Sequence, residues 1–171
     1  RPMVLKRLFA RKETPAPPPA ALPAGKRVYA IGDIHGRDDL LGQLLEKIDT
    51  DNAARGQAET QIVLLGDLPD RGPTSRQVIE RAMKLAETRP ETVFIKGNHE
   101  ELMIRVWEGD RPTASTFHRA GGRETLMSYG VAAEHYDSWD LGEMTEAAGR
   151  VIPKTHIDFL KSFRASYRLG D

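Results

Sequence analysis

Asp33 and His35 stand two positions apart, Asp67 is followed closely by Asp70 and Arg71, and Asn98 adjoins His99. Carboxylate, imidazole and carboxamide groups that meet make a mixed oxygen and nitrogen donor set, suited to Mn, Fe or Zn and not to soft-ligand copper. Asp33 and Asp67 brought together without a cation would place two like charges in contact, a cost that a divalent ion removes. With Asp67 between two ions, the pair would clamp the attacking and departing oxygens of a phosphoryl displacement, the metals about 3.5–4 Å apart. A hydroxide on the metal is the expected nucleophile, since the chain has no cysteine to serve instead. Arg71 carries a planar fork of donors that matches phosphate oxygens. Asp70, on the far side of the His99 ring, would keep that imidazole protonated as the general acid for a leaving alkoxide.

The elements that must position these groups are read from hydrophobic periodicity. "RVYAIGD", "QIVLLGD" and "TVFIKGN" read as strands, each ending in glycine followed by a polar residue: Gly32-Asp33, Gly66-Asp67 and Gly97-Asn98. "DDLLGQLLEKI" has apolar residues at 40, 41, 44, 45 and 48, one face of a helix, and "SRQVIERAMKLAE" repeats the pattern after Pro73, with Thr74 or Ser75 as its cap. "HEELMIRVW" opens a third helix, whose stripe Leu102, Met103, Val106 and Trp107 reads as core. Strands alternating with helices predict an α/β layering around a mostly parallel sheet, whose carboxyl ends share one edge and form the ligand crevice. Asp33, His35, Asp67, Asn98 and His99 should therefore meet, with glycine at each exit allowing a sharp turn or close approach. Beyond Gly109, "GGRETLMSYG" and "PKTHIDFLKSF" look helical, and "SYRLGD" looks like the opening of a further strand. A chain that begins with Arg and stops inside a strand reads as a piece of a longer protein.

At 171 residues, 39% of them hydrophobic and 29% charged, one globular domain is expected. Residues 1–25, a basic tail running into "TPAPPPAALPAG", read as tail and linker, and residues 26–171 as the domain. Twenty-five basic and twenty-five acidic residues leave no net field to draw the chain onto nucleic acid. No apolar run is long enough to span a bilayer, so stable membrane insertion is not expected and the cytoplasm is the default location.

At "GDIHGR" (32–37), "GDLPDRGPTS" (66–75) and "KGNHEELM" (96–103) the chain resembles the calcineurin-like metallophosphoesterases, and more narrowly the bacterial serine/threonine phosphoprotein phosphatases. "GGRETLMSYG" (121–130) is similar to a further segment of that bacterial branch. The resemblance implies a β-sandwich flanked by helices, incomplete at its C-terminal side, and a centre of two divalent ions, Mn first, then Fe or Zn. It implies that Asp33, His35 and Asp67 hold the first metal, with Asp67 bridging and Asn98 binding the second. His99 would be the proton donor oriented by Asp70, and Arg71, with Asn98 beside it, would grip the phosphate. Family members bind their second metal with two further histidines, downstream of where this sequence stops. Pro69 stands where Val is commoner, and Ala120 where the bacterial branch often has Asn.

Plainer readings stand beside these. Asp33 and Asp67 could only cap helices, Arg71 could only pair with Asp70 or Glu100, and His118, His135 and His156 are expected to be solvated. The leading reading is hydrolysis of phosphate monoesters, first of all phosphoserine or phosphothreonine in a phosphorylated protein, with a small phosphoester as the other substrate. A symmetrical bis(5'-nucleosyl)-tetraphosphatase ranks second, because "DRG" and "GNHE" fit the protein phosphatases better. A module binding metal or phospho-ligand without catalysis is the alternative from another class.

Overall fold

The computed structural model describes residues 21–170, so most of the expected tail and linker, residues 1–20, lies outside the described residues. Strands β1 (Lys26–Ile31), β2 (Glu59–Leu64) and β3 (Val93–Phe94) form one parallel sheet in the order β1-β2-β3. The register runs from Lys26 opposite Glu59 to Ile31 opposite Leu64, and Leu64 in turn faces Phe94. Ile31, Leu64 and Phe94 are thus level, and the polar residues that follow all emerge at one edge of the sheet. The ladder runs one step further, with Leu65 N donating to Ile31 O and Ile95 N to Leu64 O.

Parallel neighbours need crossovers, supplied here by helices α1 (Asp38–Ala54) and α2 (Ser75–Thr88). Arg81 on α2 pairs with Asp38 on α1, and Arg89, just after α2, pairs with Asp49. Of the expected apolar face of α1, Leu41 and Ile48 are buried, whereas Leu40 and Leu44 are 49% and 39% exposed. The described sheet ends at β1, so the far side of that face has little to pack against. Thr74 is the residue before α2, as expected, but its hydroxyl donates to Gly36 O and accepts from Asp38 N. It braces the turn between β1 and α1 instead of capping α2.

The third strand is shorter than its sequence. After β3 the pairing continues only as a parallel bridge between Ile95 and Arg164, in which Arg164 N donates to Phe94 O and Lys96 N to Arg164 O. The strand expected at "SYRLGD" is therefore represented by one residue just before it, and residues 166–170 are not strand. Among the described residues there is one sheet, so the second sheet implied by a sandwich is not among them.

Helices α3 (Asn98–Trp107), α4 (Arg111–Phe117), α5 (Arg123–Ser128), α6 (Ala133–Ser138), α7 (Leu141–Val151) and α8 (Lys154–Lys161) complete the chain. The stripe on α3 is core as expected, with Met103 and Val106 fully buried. Helix α7 starts in a capping box: Asp140 accepts from Gly142 N and Glu143 N, and Glu143 accepts from Asp140 N. His135 and His118 are exposed, but His156 is buried against Tyr129. The solvated reading of His156 is corrected: it lies on the apolar face of α8 beside Ile157 and Leu160, both fully buried. No helix of the described residues is long and apolar enough to cross a membrane.

Candidate active site

The level strand ends lay their exit loops side by side. Ile34 N and His35 N both donate to Asp67 O, at 3.1 and 3.0 Å, and Gly36 N donates to Leu68 O at 2.8 Å. Four non-glycine residues hold positive φ among the described residues: His35 at 45°, Asp67 at 55°, Asp70 at 72° and Arg71 at 67°. Such conformations cost on the order of 1–3 kcal/mol each and persist where the surroundings enforce them. All four belong to the chemistry-bearing set read from the sequence. Of the exit glycines, Gly97 meets its expectation most directly, because a Cβ there would fall on the Asp67 carboxylate. Gly32 has open space around it, so its expected close approach is not realised.

Ligand atoms of His35, Asp67 and His99 lie within 4.8 Å of one another. His35 Nδ1 sits 3.1 Å from Pro69 O, a carbonyl that can only accept, so Nδ1 carries a proton and Nε2 is the ring nitrogen left to face a ligand. Pro69 thus supplies the carbonyl that orients this ring. Nε2 is buried with no hydrogen-bond partner and lies 3.5 Å from Asp33 Oδ2. A buried ring nitrogen without a hydrogen-bond partner is unfavourable by itself, and a cation held between it and the neighbouring carboxylates would satisfy all of them. The residues present therefore fit a divalent metal. Asp33 reaches the cluster through His35 while its own side chain is 67% exposed. Asn98 stands exposed at the first position of α3, beside His99, and makes no side-chain hydrogen bond among the described residues.

Asp70 and His99 are buried together, with His99 Nδ1 and Asp70 Oδ2 2.7 Å apart. The Asp70 carboxylate raises the pKa of His99 above its ordinary value, against the opposing effect of burial. Arg71 Nη2 lies 3.4 Å from His99 Nε2. The guanidinium and the imidazole Nε2 thus meet at one point, where a phosphoryl oxygen and its leaving group could be held between them. The plainer reading of Arg71 is not met, since among the described residues it pairs with neither Asp70 nor Glu100.

Two residues have supporting roles that the sequence did not show. Glu100 is fully buried; Oε1 accepts from Leu68 N at 2.7 Å, and Oε2 from Asp67 N at 3.0 Å and Gly97 N at 2.7 Å. One carboxylate thus ties the exit of β2 to the exit of β3. Thr125 donates to Asp70 Oδ1 at 2.6 Å, and Asp70 N lies 3.0 Å from both Ser75 Oγ and Thr125 Oγ1. Glu100 follows "GNH" directly and could have been suspected from that place, whereas Thr125 is 55 residues from Asp70 and carries no local sign of its partner.

The family model described as calcineurin-like phosphoesterase matches residues 26–165. A symmetrical bis(5'-nucleosyl)-tetraphosphatase from Nitrosococcus oceani is 35% identical over 107 residues, covering 60% of this chain and 36% of that protein. Its counterpart from Paracidovorax citrulli is 32% identical over 151 residues, covering 83% of this chain and 48% of that one. The chain therefore spans less than half the length of either relative. Among solved structures, hypothetical protein PH1004 from Pyrococcus horikoshii OT3 superposes with a TM-score of 0.49 at 20% identity, covering 81% of this chain and 48% of that one.

Proposed function

We propose, for a chain that belongs to the calcineurin-like phosphoesterase family, that its strand-end site hydrolyses the polyphosphate bridge of dinucleoside polyphosphates such as diadenosine tetraphosphate. The observation that carries phosphoester chemistry is the convergence of His35, Asp67 and His99 within 4.8 Å, with the Arg71 guanidinium at its mouth. The substrate class rests on the relatives, two of which are named symmetrical tetraphosphatases. That reverses the order read from "DRG" and "GNHE", which placed phosphoserine and phosphothreonine in proteins first.

Asp33, His35 and Asp67 would hold one divalent ion, and Asp67 with Asn98 a second, Mn being the first candidate. Bound ions would neutralise charge on the phosphoryl oxygens and make water acidic enough to attack near neutral pH. Arg71 binds the phosphoryl oxygens through its paired N–H groups. His99 gives the Nε2 proton to the departing phosphate oxygen, so that one N–H bond breaks as one O–H bond forms. Asp70 keeps the remaining proton on Nδ1 and holds the ring, with Thr125 bracing Asp70 in turn.

The deciding experiment measures kcat/KM of the metal-loaded protein on diadenosine tetraphosphate and on a phosphothreonine peptide. Faster release of nucleotides from the first is expected. A clear preference for the peptide restores the phosphoprotein reading, and turnover undiminished by chelation removes the metal from it.

A further inference from the structure

Beside the strand-end site lies a cavity of about 300 Å³ lined by His118, Tyr136, Asp137, Trp139, Leu141 and Met144. We infer that this cavity is the seat of a purine base, and that it holds one nucleoside of the substrate while the phosphates lie at Arg71. The inference rests on the dinucleotide reading above and deepens it.

Its volume stands at the lower end of the roughly 300–1,000 Å³ range of small-molecule sites. Tyr136 and Met144 are buried to 3% and 4%, with Leu141 43% exposed. Tyr136 is ringed by π systems: the His118 ring stacks on it at 5.8 Å and 18°, and the Trp139 indole tilts against it at 5.9 Å and 53°. With Tyr136 as the covered floor, the exposed His118 ring and the half-buried Trp139 indole offer ring surface on which a flat heterocycle can stack, an interaction worth about 1–3 kcal/mol per base. Asp137 is held by both Nε and Nη2 of Arg123, at 2.8 and 2.9 Å, which fixes its carboxylate at the cavity wall. Its oxygens keep lone pairs to accept an exocyclic amino group, so an amino purine is favoured over an alkyl or aryl group without donors.

The placement ties this cavity to the phosphates. His118 opens the wide turn His118–Gly122, in which Gly121 has φ 101° and its carbonyl accepts from Arg71 N at 3.2 Å. Any Cβ at Gly121 would overlap the Arg71 backbone, so the chain carrying His118 is pressed against the phosphate clamp. Tyr136 feels the same neighbourhood: burial first, then the nearby Glu124 and Asp70 carboxylates, push its phenol pKa upward. A base in the cavity and a phosphate at Arg71 are thus joined by the one turn His118–Gly122, which lines the first and touches the backbone of the second.

The test uses the two tryptophans of the chain separately. In Trp107→Phe, Trp139 is the sole indole, and AMP should quench its fluorescence while ribose 5-phosphate does not. In Trp139→Ala, the ratio of KM for diadenosine tetraphosphate to KM for p-nitrophenyl phosphate should rise about tenfold or more, with Trp139→Phe restoring most of it. Equal quenching by AMP and ribose 5-phosphate, or an unchanged ratio in a folded Trp139→Ala protein, overturns the inference. Quenching by AMP without hydrolysis of the dinucleotide leaves the base seat standing and removes the proposed activity instead.

Discussion

His99 and His156 are buried alike, to 3% and 6%, in two different regions of the molecule. His99 stands at the strand-exit edge against a carboxylate, Asp70, with a guanidinium on its other side. His156 stands in the helical layer against the phenol of Tyr129, at 2.8 Å. Asp70 raises the pKa of His99, whereas burial lowers that of His156. Burial alone does not make a reactive imidazole; the charge of its partner decides which protonation state the fold retains. The backbone repeats the contrast, since the four non-glycine positive φ angles all lie at the strand-exit edge.

The largest effect that separates the two regions is on rate. His99→Asn removes the proton donor and should lower turnover of a substrate with a poor leaving group by about 10²–10⁴-fold. Loss should be smaller on p-nitrophenyl phosphate, which needs little protonation to depart. His156→Asn, lying outside the site, should change kcat by far less than either. Steady-state kinetics on both substrates check the pair, and equal losses in the two variants would dissolve the contrast.

Next in size is the tie between the strand exits. Glu100→Ala leaves three N–H groups, those of Asp67, Leu68 and Gly97, without their acceptor. Each such buried group costs about 1–3 kcal/mol, so a combined loss on the order of 3 kcal/mol or more is expected in urea unfolding. Glu100→Gln should lose less, because one carboxamide oxygen still accepts while its NH₂ faces a donor. Thr125→Val follows, removing the one hydroxyl that donates to Asp70 Oδ1, at a cost of about 1.5–3 kcal/mol for a bond to a charged group. Thr125→Ser should restore most of this, and calorimetric melting of the three proteins is the check.

These residues mark where sequence reading worked and where it stopped. Asp33, His35, Asp67, Asp70 and His99 were legible because strands announce themselves by apolar runs, and a level parallel register carries whatever follows each run to one edge. Glu100 was read only as a possible partner for Arg71, because an acid in the first turn of a helix has an ordinary explanation in the helix dipole. Ser75 was read only as a cap of α2, and Thr125 could not be read, since its contact with Asp70 depends on where α5 packs, which no local period encodes. His156 could have been placed in the core: 156, 157 and 160 share one face of α8, and two of them are Ile and Leu. The shortened β3 and the single bridge at Arg164 are tertiary outcomes that the run "TVFIKGN" does not distinguish from a full strand.

The smallest effect sharpens the comparison through pH. Lowered by burial, with Glu80 opposing and Arg76 assisting, the folded pKa of His156 lies below its unfolded value of about 6.5. Below that value the unfolded chain binds a proton at this position that the folded chain refuses. The contribution of His156 is therefore complete above about pH 6.5 and is lost as pH falls towards the folded pKa, with a slope of at most about 1.4 kcal/mol per pH unit. His99 has the opposite sign, its raised pKa favouring the fold below the unfolded value and losing that effect as pH rises through the folded one. His156→Gln keeps an acceptor for Tyr129 and removes the titration, so its urea-unfolding free energy should fall less steeply than the parent's between pH 6.5 and 5. Parallel curves for the two proteins would mean that His156 takes up its proton in place, and that the helical layer tolerates a charge as readily as the strand-exit edge does.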